Sequence, residues 1–203
     1  MGKAVKRVML CALMACLVWV AMLITDKQTL RNELIRLHVV AASDAAEDQA
    51  LKLQVRDAVV NSLRENMENV TDSEQAKAYL QENLPKIEAL ANRVLQEAGC
   101  SDVATVSLRL EEFSTRYYDT FTLPAGIYES LRITIGAGQG HNWWCVVFPS
   151  LCVGATVEEF EDTAQCAGMS DALTAALAGE ESYEVRFFVL DAMGRLENFL
   201  HKG

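Results

Sequence analysis

PAGIYESLRITIGAGQGHNWWCVVFPSLC, residues 124–152, decides how the chain is read, because it contains two strands and the turn between them. Leu131, Ile133 and Ile135 alternate with Arg132 and Thr134, the period of a strand with one buried face. Gly136, Gly138 and Gly140 follow, at a spacing that frees the backbone for positive φ. His141 and Asn142 then lead into Trp143, Trp144, Cys145, Val146, Val147 and Phe148, an apolar run suited to a strand covered on both faces. Pro149 ends that run, since proline donates nothing to a ladder. The glycines are therefore expected in a hairpin connection. A dinucleotide fingerprint needs G-x-G-x-x-G with a helix opening behind it; here His141 stands three places after Gly138 and a strand follows.

Upstream, Leu34–Ala41 (LIRLHVVA) predicts a strand with Ile35, Leu37 and Val39 on one face and Arg36 and His38 on the other. Arg36 and Arg132 are expected on the sheet's polar face, placed to pair with carboxylates or to meet an acidic partner. Asp44 with Glu47 predicts a capped helix start, and Leu51, Val55, Val59, Leu63 and Met67 recur at helical spacing behind it. Thr71 with Glu74 opens a second helix that ends at Gly99, with a kink or break expected at Pro85. Val103–Leu110 alternates as a strand, with Ala104, Val106, Leu108 and Leu110 inward. Residues 154–182 are acidic, alanine-rich and weakly helical around 157–166 and 170–178, and read as an inserted lobe. Glu184–Leu190 (EVRFFVL) reads as a last strand before a short helix. The pattern predicts an α+β fold: a mainly antiparallel sheet of about five strands with helices packed on it, preceded by an N-terminal hydrophobic signal or anchor helix.

Lys3, Lys6 and Arg7 precede an uncharged apolar run from Val8 to Ile24, the pattern of a translocation signal whose basic end stays in the cytoplasm. Its 17 residues fall between a signal-peptide core and a spanning helix, and Trp19 occupies the −3 place before Ala21, so no clean cleavage site follows. Residues 1–26 are thus a signal peptide or a membrane anchor, and 27–203 a single exported domain. Without its three N-terminal cations the chain keeps 15 basic and 28 acidic residues, a net −13 that disfavours nucleic acid and anionic lipid heads as partners.

Cys11 and Cys16 lie in the apolar run, while Cys100, Cys145, Cys152 and Cys166 are expected outside, where disulfides form. Four cysteines allow three pairings. Cys145 with Cys152, flanking the bend at Pro149, is the preferred pair; the other reading of Cys145 is a buried thiol in a central strand. With no C-x-x-C there is no spacing for a zinc site or thioredoxin chemistry, and neither metal nor cofactor is expected.

Catalytic readings have little to stand on. His38 or His141 with Cys145 offers a Cys–His nucleophile pair without a third member. Asp44 with Asp48, or Glu111 with Glu112, offers paired carboxylates for glycan cleavage, but Asp44 has a role as helix cap and Glu111 and Glu112 point to opposite faces of a strand. Trp143 and Trp144 also face opposite sides, so one fills the core while the other is free to anchor a protein partner. The expected partner contact is therefore Gly136, Gly138, Gly140, His141, Asn142, Trp143 and Trp144.

Three stretches, LIRLHVVAASDAAEDQALKLQVRDAV from Leu34, PAGIYESLRITIG from Pro124 and GQGHNWWCVVFPSLC from Gly138, resemble the stage II sporulation protein R family, exported signalling proteins of endospore-forming bacteria. With the N-terminal signal and the end of the chain they cover most of residues 1–152; nothing carries over to 154–182. The resemblance implies a signal rather than a catalyst. Such a protein is made in the forespore and exported into the space between the two sporangial membranes. There it activates a membrane-bound aspartic protease that cleaves the precursor of sigma factor E. The alternative is an exported cell-wall hydrolase using Cys145 and His141.

Overall fold

A computed structural model describes residues 2–150, 157–166 and 168–201. Helix α1 (Lys3–Glu33) is followed by strand β1 (Ile35–Val40), helices α2 (Ala46–Asn66) and α3 (Ser73–Glu97), and strand β2 (Ala104–Phe113). Two short strands, β3 (Arg116–Tyr117) and β4 (Thr122–Leu123), pair as a ribbon before β5 (Gly126–Ile135) and β6 (Asn142–Phe148). Helices α4 (Val157–Cys166), α5 (Asp171–Ala178) and α6 (Glu184–His201) complete the described chain. The fold is α+β as expected, with four strands in the main sheet.

The sheet order is β2-β5-β1-β6, and it is mixed: β1 runs parallel to β5 and antiparallel to β6, while β2 and β5 are antiparallel. This corrects the hairpin. β5 and β6 are consecutive in sequence but do not pair, because β1 lies between them, so the glycine connection crosses the end of β1 instead of closing a tight turn.

Both faces of the sheet are covered. Ile35, Leu37 and Val39 join Leu131, Ile133, Ile135, Cys145 and Val147 against Val55, Val59 and Leu63 of α2 and Leu80, Ile87 and Leu95 of α3. On the other face, Phe113, Tyr128 and Val146 pack with Leu23 and Leu30 of α1, Phe160 and Ala164 of α4, Leu173 and Leu177 of α5, and Leu190 of α6. β1 is therefore buried along its whole length, and the face expected to be polar carries Arg36 and His38 into the interior. Within 154–182, read as a lobe, Phe160, Ala164, Met169, Leu173 and Leu177 belong to this second core, while 154–156 lie outside the described residues.

One local expectation is narrowed, from a kink or break to an unbroken helix, and two change. Pro85 sits inside α3 without ending it; Leu80 and Asn83 before it and Ile87, Ala91 and Leu95 beyond it stay buried, so packing holds the helix through the missing amide. Leu110 is half exposed rather than inward, near the far end of edge strand β2. Glu184–Leu190 is the start of α6, not a strand. Its aromatic and β-branched residues favour a strand locally. Continued through LDAMGRLENFLH, however, the inward positions are Phe187, Leu190, Asp191, Gly194 and Asn198, a helical period that tertiary packing selects.

α6 is held at one point by close approach. Asp191 accepts a hydrogen bond from the Ala125 amide at 2.8 Å, and a Cβ on Gly194 would lie 1.6 Å from the Ala125 carbonyl oxygen. α1 is also tied in: Arg186 bonds Asp26 at 2.7 Å and Lys27 pairs with Glu197 at 2.9 Å, so its last turns belong to the body while Val8–Val20 project away from it, exposed. α1 is long and apolar enough to cross a membrane.

Gly194→Val is expected to force α6 off the 125–126 backbone, at a cost of about 1–3 kcal/mol or more from overpacking. Thermal unfolding followed by circular dichroism measures it; an unchanged midpoint would mean that α6 does not rest on Ala125.

Candidate functional site

The glycine crossing places the expected contact residues. Gly140 donates to the Ala41 carbonyl at 3.0 Å and Gln139 to that of Ala42 at 3.1 Å, so the loop is bonded to the chain leaving β1. A Cβ at Gly140 would stand 2.1 Å from the Ser43 carbonyl oxygen; only glycine passes there. Gly136 and Gly138 take φ of 53° and 62°, as the sequence predicts.

His141 is then fixed by three bonds, although its side chain is 80% exposed. Asp44 accepts from both the His141 amide, at 2.6 Å, and the ring Nδ1. Lys52 of α2 donates to the His141 carbonyl at 3.0 Å. Asp44 thus clamps the loop instead of capping α2, whose start carries no side-chain cap. The bonds from His141 hold the Asp44 carboxyl below the ordinary aspartate value. Burial, with the Arg56 guanidinium nearby, holds Lys52 below the ordinary lysine value.

The two tryptophans face opposite sides, and both are half-buried. Trp143 lies on the α2 side, with the Arg56 guanidinium 4.1 Å from its ring centre. Trp144 lies on the other face, stacked on His38 with ring centres 3.7 Å apart and edge-on to Phe113 at 4.9 Å. Arg116, from the β3–β4 ribbon, covers Trp144 at 4.7 Å.

Beneath Trp144 runs a buried polar row. His38 Nδ1 lies 3.0 Å from Glu111 Oε2, and the other oxygen of Glu111 accepts from Arg132 at 2.8 Å and Arg109 at 2.8 Å. Burial opposes the Glu111 charge, but the bonds from His38, Arg132 and Arg109 outweigh it and hold the carboxyl far below the usual glutamate range. Arg132 thus finds the carboxylate expected for it. Arg36 does not: it is fully buried, donates to the Tyr118 hydroxyl at 2.7 Å and the Cys145 carbonyl at 3.3 Å, and sits over the Phe113 ring at 4.2 Å. Its Nη1 has no partner among the described residues. Burial lowers its pKa and raises that of Tyr118.

The Cys–His pair does not assemble. Cys145 is 1% exposed and packs toward α2 and α3, opposite His38. His141 is four strand residues away, about 13 Å at the usual rise. Cys152, the expected disulfide partner of Cys145, lies outside the described residues. Among the described residues no cluster of three or more His, Cys, Asp or Glu side chains is placed to hold a metal ion.

Lys52, Arg56 and Arg116 escaped the sequence reading as site residues, whereas Asp44 entered it as a helix cap and as half of a carboxylate pair and is found instead on His141. Lys52 and Arg56 lie one turn apart on α2 and Arg116 in the two-residue β3, and no spacing in the sequence ties any of them to the tryptophans.

An apolar N-terminal helix thus docks by its last turns on an α+β body, and a clamped glycine crossing leads into a half-buried aromatic pair. The family model for stage II sporulation protein R matches residues 31–158, which span β1, the crossing and β6. A stage II sporulation protein R from Bacillus subtilis (strain 168) is 38% identical over 136 residues, 64% of this chain and 61% of that relative, so the match spans less than two thirds of the relative's length. No solved structure matches the chain. The chain belongs to the stage II sporulation protein R family.

Gly140→Ala is expected to break the crossing, lowering stability and releasing His141 from Asp44; loss of amide protection at 139–141 in hydrogen exchange checks it. For Glu111 the folded pKa lies below the unfolded one. Its stabilisation is therefore complete above the ordinary value of 4.5 and is lost as the solution is acidified below it. Glu111→Gln should accordingly be less stable than wild type at pH 7, with the gap narrowing toward pH 3 in denaturant titrations.

Proposed function

We infer that this chain is an exported signal of endospore formation that activates a membrane-bound aspartic protease, triggering cleavage of the precursor of sigma factor E. The observation that carries the reading is the family match through β1, the glycine crossing and the Trp143–Trp144 strand. The apolar α1 supports export from the forespore into the intermembrane space, either as a cleaved signal or as an anchor that keeps the body at the membrane. The separation of Cys145 from His141 weighs against the hydrolase alternative.

Activation by binding requires the chain to hold the active arrangement of the protease more tightly than the inactive one. Bringing two protease chains together is one way to do so, because aspartic proteases work with a pair of carboxyls sharing one site. The contact on this chain is the surface from Gly136 to Trp144, in which the loop atoms of His141 and Asn142 are accessible and the tryptophan rings give apolar area.

The test is a three-component reconstitution in a non-sporulating host, with the sigma precursor, the protease and this chain present or absent. Processing should occur only with the chain present, and Trp144→Ala should cut it at least tenfold while the domain stays folded by circular dichroism. Absence of processing with all three proteins folded would contradict the signalling role. Wild-type processing by folded Trp143→Ala and Trp144→Ala variants would remove this surface as the contact.

A further inference from the structure

Helix α6 is apolar on two sides. Its inner side rests on the body through Phe187 and Leu190, with Gly194 against the Ala125 carbonyl. On its outer side Val185, Phe188, Leu196 and Phe199 are 67%, 71%, 59% and 75% exposed, and Ala192 between them is exposed as well. Steps of three and four residues put all five on one stripe of the helix. Among the described residues beyond α1, five of the eight exposed large apolar side chains are on α6, so the exposure is concentrated rather than scattered. The stripe leaves on the order of 500 Å² of apolar surface in water, near the upper end for a lone soluble domain. Two such stripes face to face would bury on the order of 1,000 Å², which reaches the size of a specific interface.

The stripe also reads alike in both directions. Val185 and Phe199 lie seven residues either side of Ala192, and Phe188 and Leu196 lie four either side. A two-fold axis through Ala192 therefore sets two α6 helices antiparallel, with Phe188 against Leu196 of the second copy and Val185 against its Phe199. A larger side chain meets a smaller one at each level, and the alanines let the two backbones approach. In a parallel pair, phenylalanine would meet phenylalanine and valine would meet valine.

The charges beside the stripe favour a protein over a lipid surface. Arg186 is bonded to Asp26, Arg195 to Asp191 and Glu197 to Lys27. Glu184 is an anion with no partner among the described residues. The stripe thus lacks the free cationic fringe that seats an amphipathic helix on anionic lipid, and a second copy needs none.

We propose that the outer face of α6 is the contact between two copies of this chain, paired antiparallel about Ala192. The pairing stands on α6 itself; its consequence, that one pair holds two protease chains together, rests on the function proposed above.

Light scattering of the full chain in mild non-ionic detergent measures the pairing. The wild type should be a dimer, and Ala192→Glu, on an exposed helical position, should raise the dimer dissociation constant at least tenfold with an unchanged circular dichroism spectrum. A monomeric wild type, or a folded Ala192→Glu that dimerises as well as wild type, overturns the proposal. Oxidative cross-linking in membranes, with Cys11→Ser and Cys16→Ser in every chain, reads the orientation. Ala192→Cys should link to itself and Val185→Cys to Phe199→Cys when the two variants are mixed, whereas Val185→Cys linking to itself would overturn the antiparallel arrangement. In the reconstitution, Ala192→Glu should cut processing at least fivefold. A dimeric wild type that supports no processing would contradict the function and leave the pairing standing. Wild-type processing by monomeric Ala192→Glu would remove the pairing from protease activation.

Discussion

The structure depends on one crossing. β1 must lie between β5 and β6, so the chain that joins those two strands has to pass over the end of β1 within a few residues. It can do so only where a side chain is missing, because any Cβ at Gly140 would enter the Ser43 carbonyl. Once the backbone has passed, Asp44 and Lys52 grip His141 from both sides and the direction of β6 is set. The side on which each tryptophan falls follows from the strand period alone.

Burying β1 on both faces puts Arg36 and His38 inside the protein. Removing a polar or charged group from water is costly unless other groups replace its hydration. For His38 the replacement is Glu111, itself secured by Arg132 and Arg109. For Arg36 it is a tyrosine hydroxyl, a backbone carbonyl and the faces of Phe113 and Tyr128, contacts that leave its charge unneutralised.

Much of this was legible in the sequence. The alternation in Ile35–Val39 and Leu131–Ile135, the helical spacing in α2 and α3, and the glycine run each reflect a local rule, and each appears in the structure. What stayed hidden came from tertiary context. No local signal said that β1 would insert between β5 and β6, which turned an expected hairpin into a crossing. EVRFFVL favours a strand until Gly194 and Asp191 fasten the helix to residue 125. Asp44 offered a helix cap and was used instead on a residue 97 positions away. The candidate site divided in the same way: its loop and tryptophans were visible in the sequence, whereas the arginines from α2 and the ribbon that pack on those rings were not.

Site-specific photo-crosslinking to the protease, in membranes that contain both full-length proteins, tests the central claim most directly. With benzoylphenylalanine placed in turn at His141 and Asn142, and for comparison at Glu82 and Ala89 on the exposed side of α3, the account predicts crosslinks from the first two positions and none from the last two. Crosslinks from α3 alone would contradict it, and would place the recognition surface on the opposite side of the sheet.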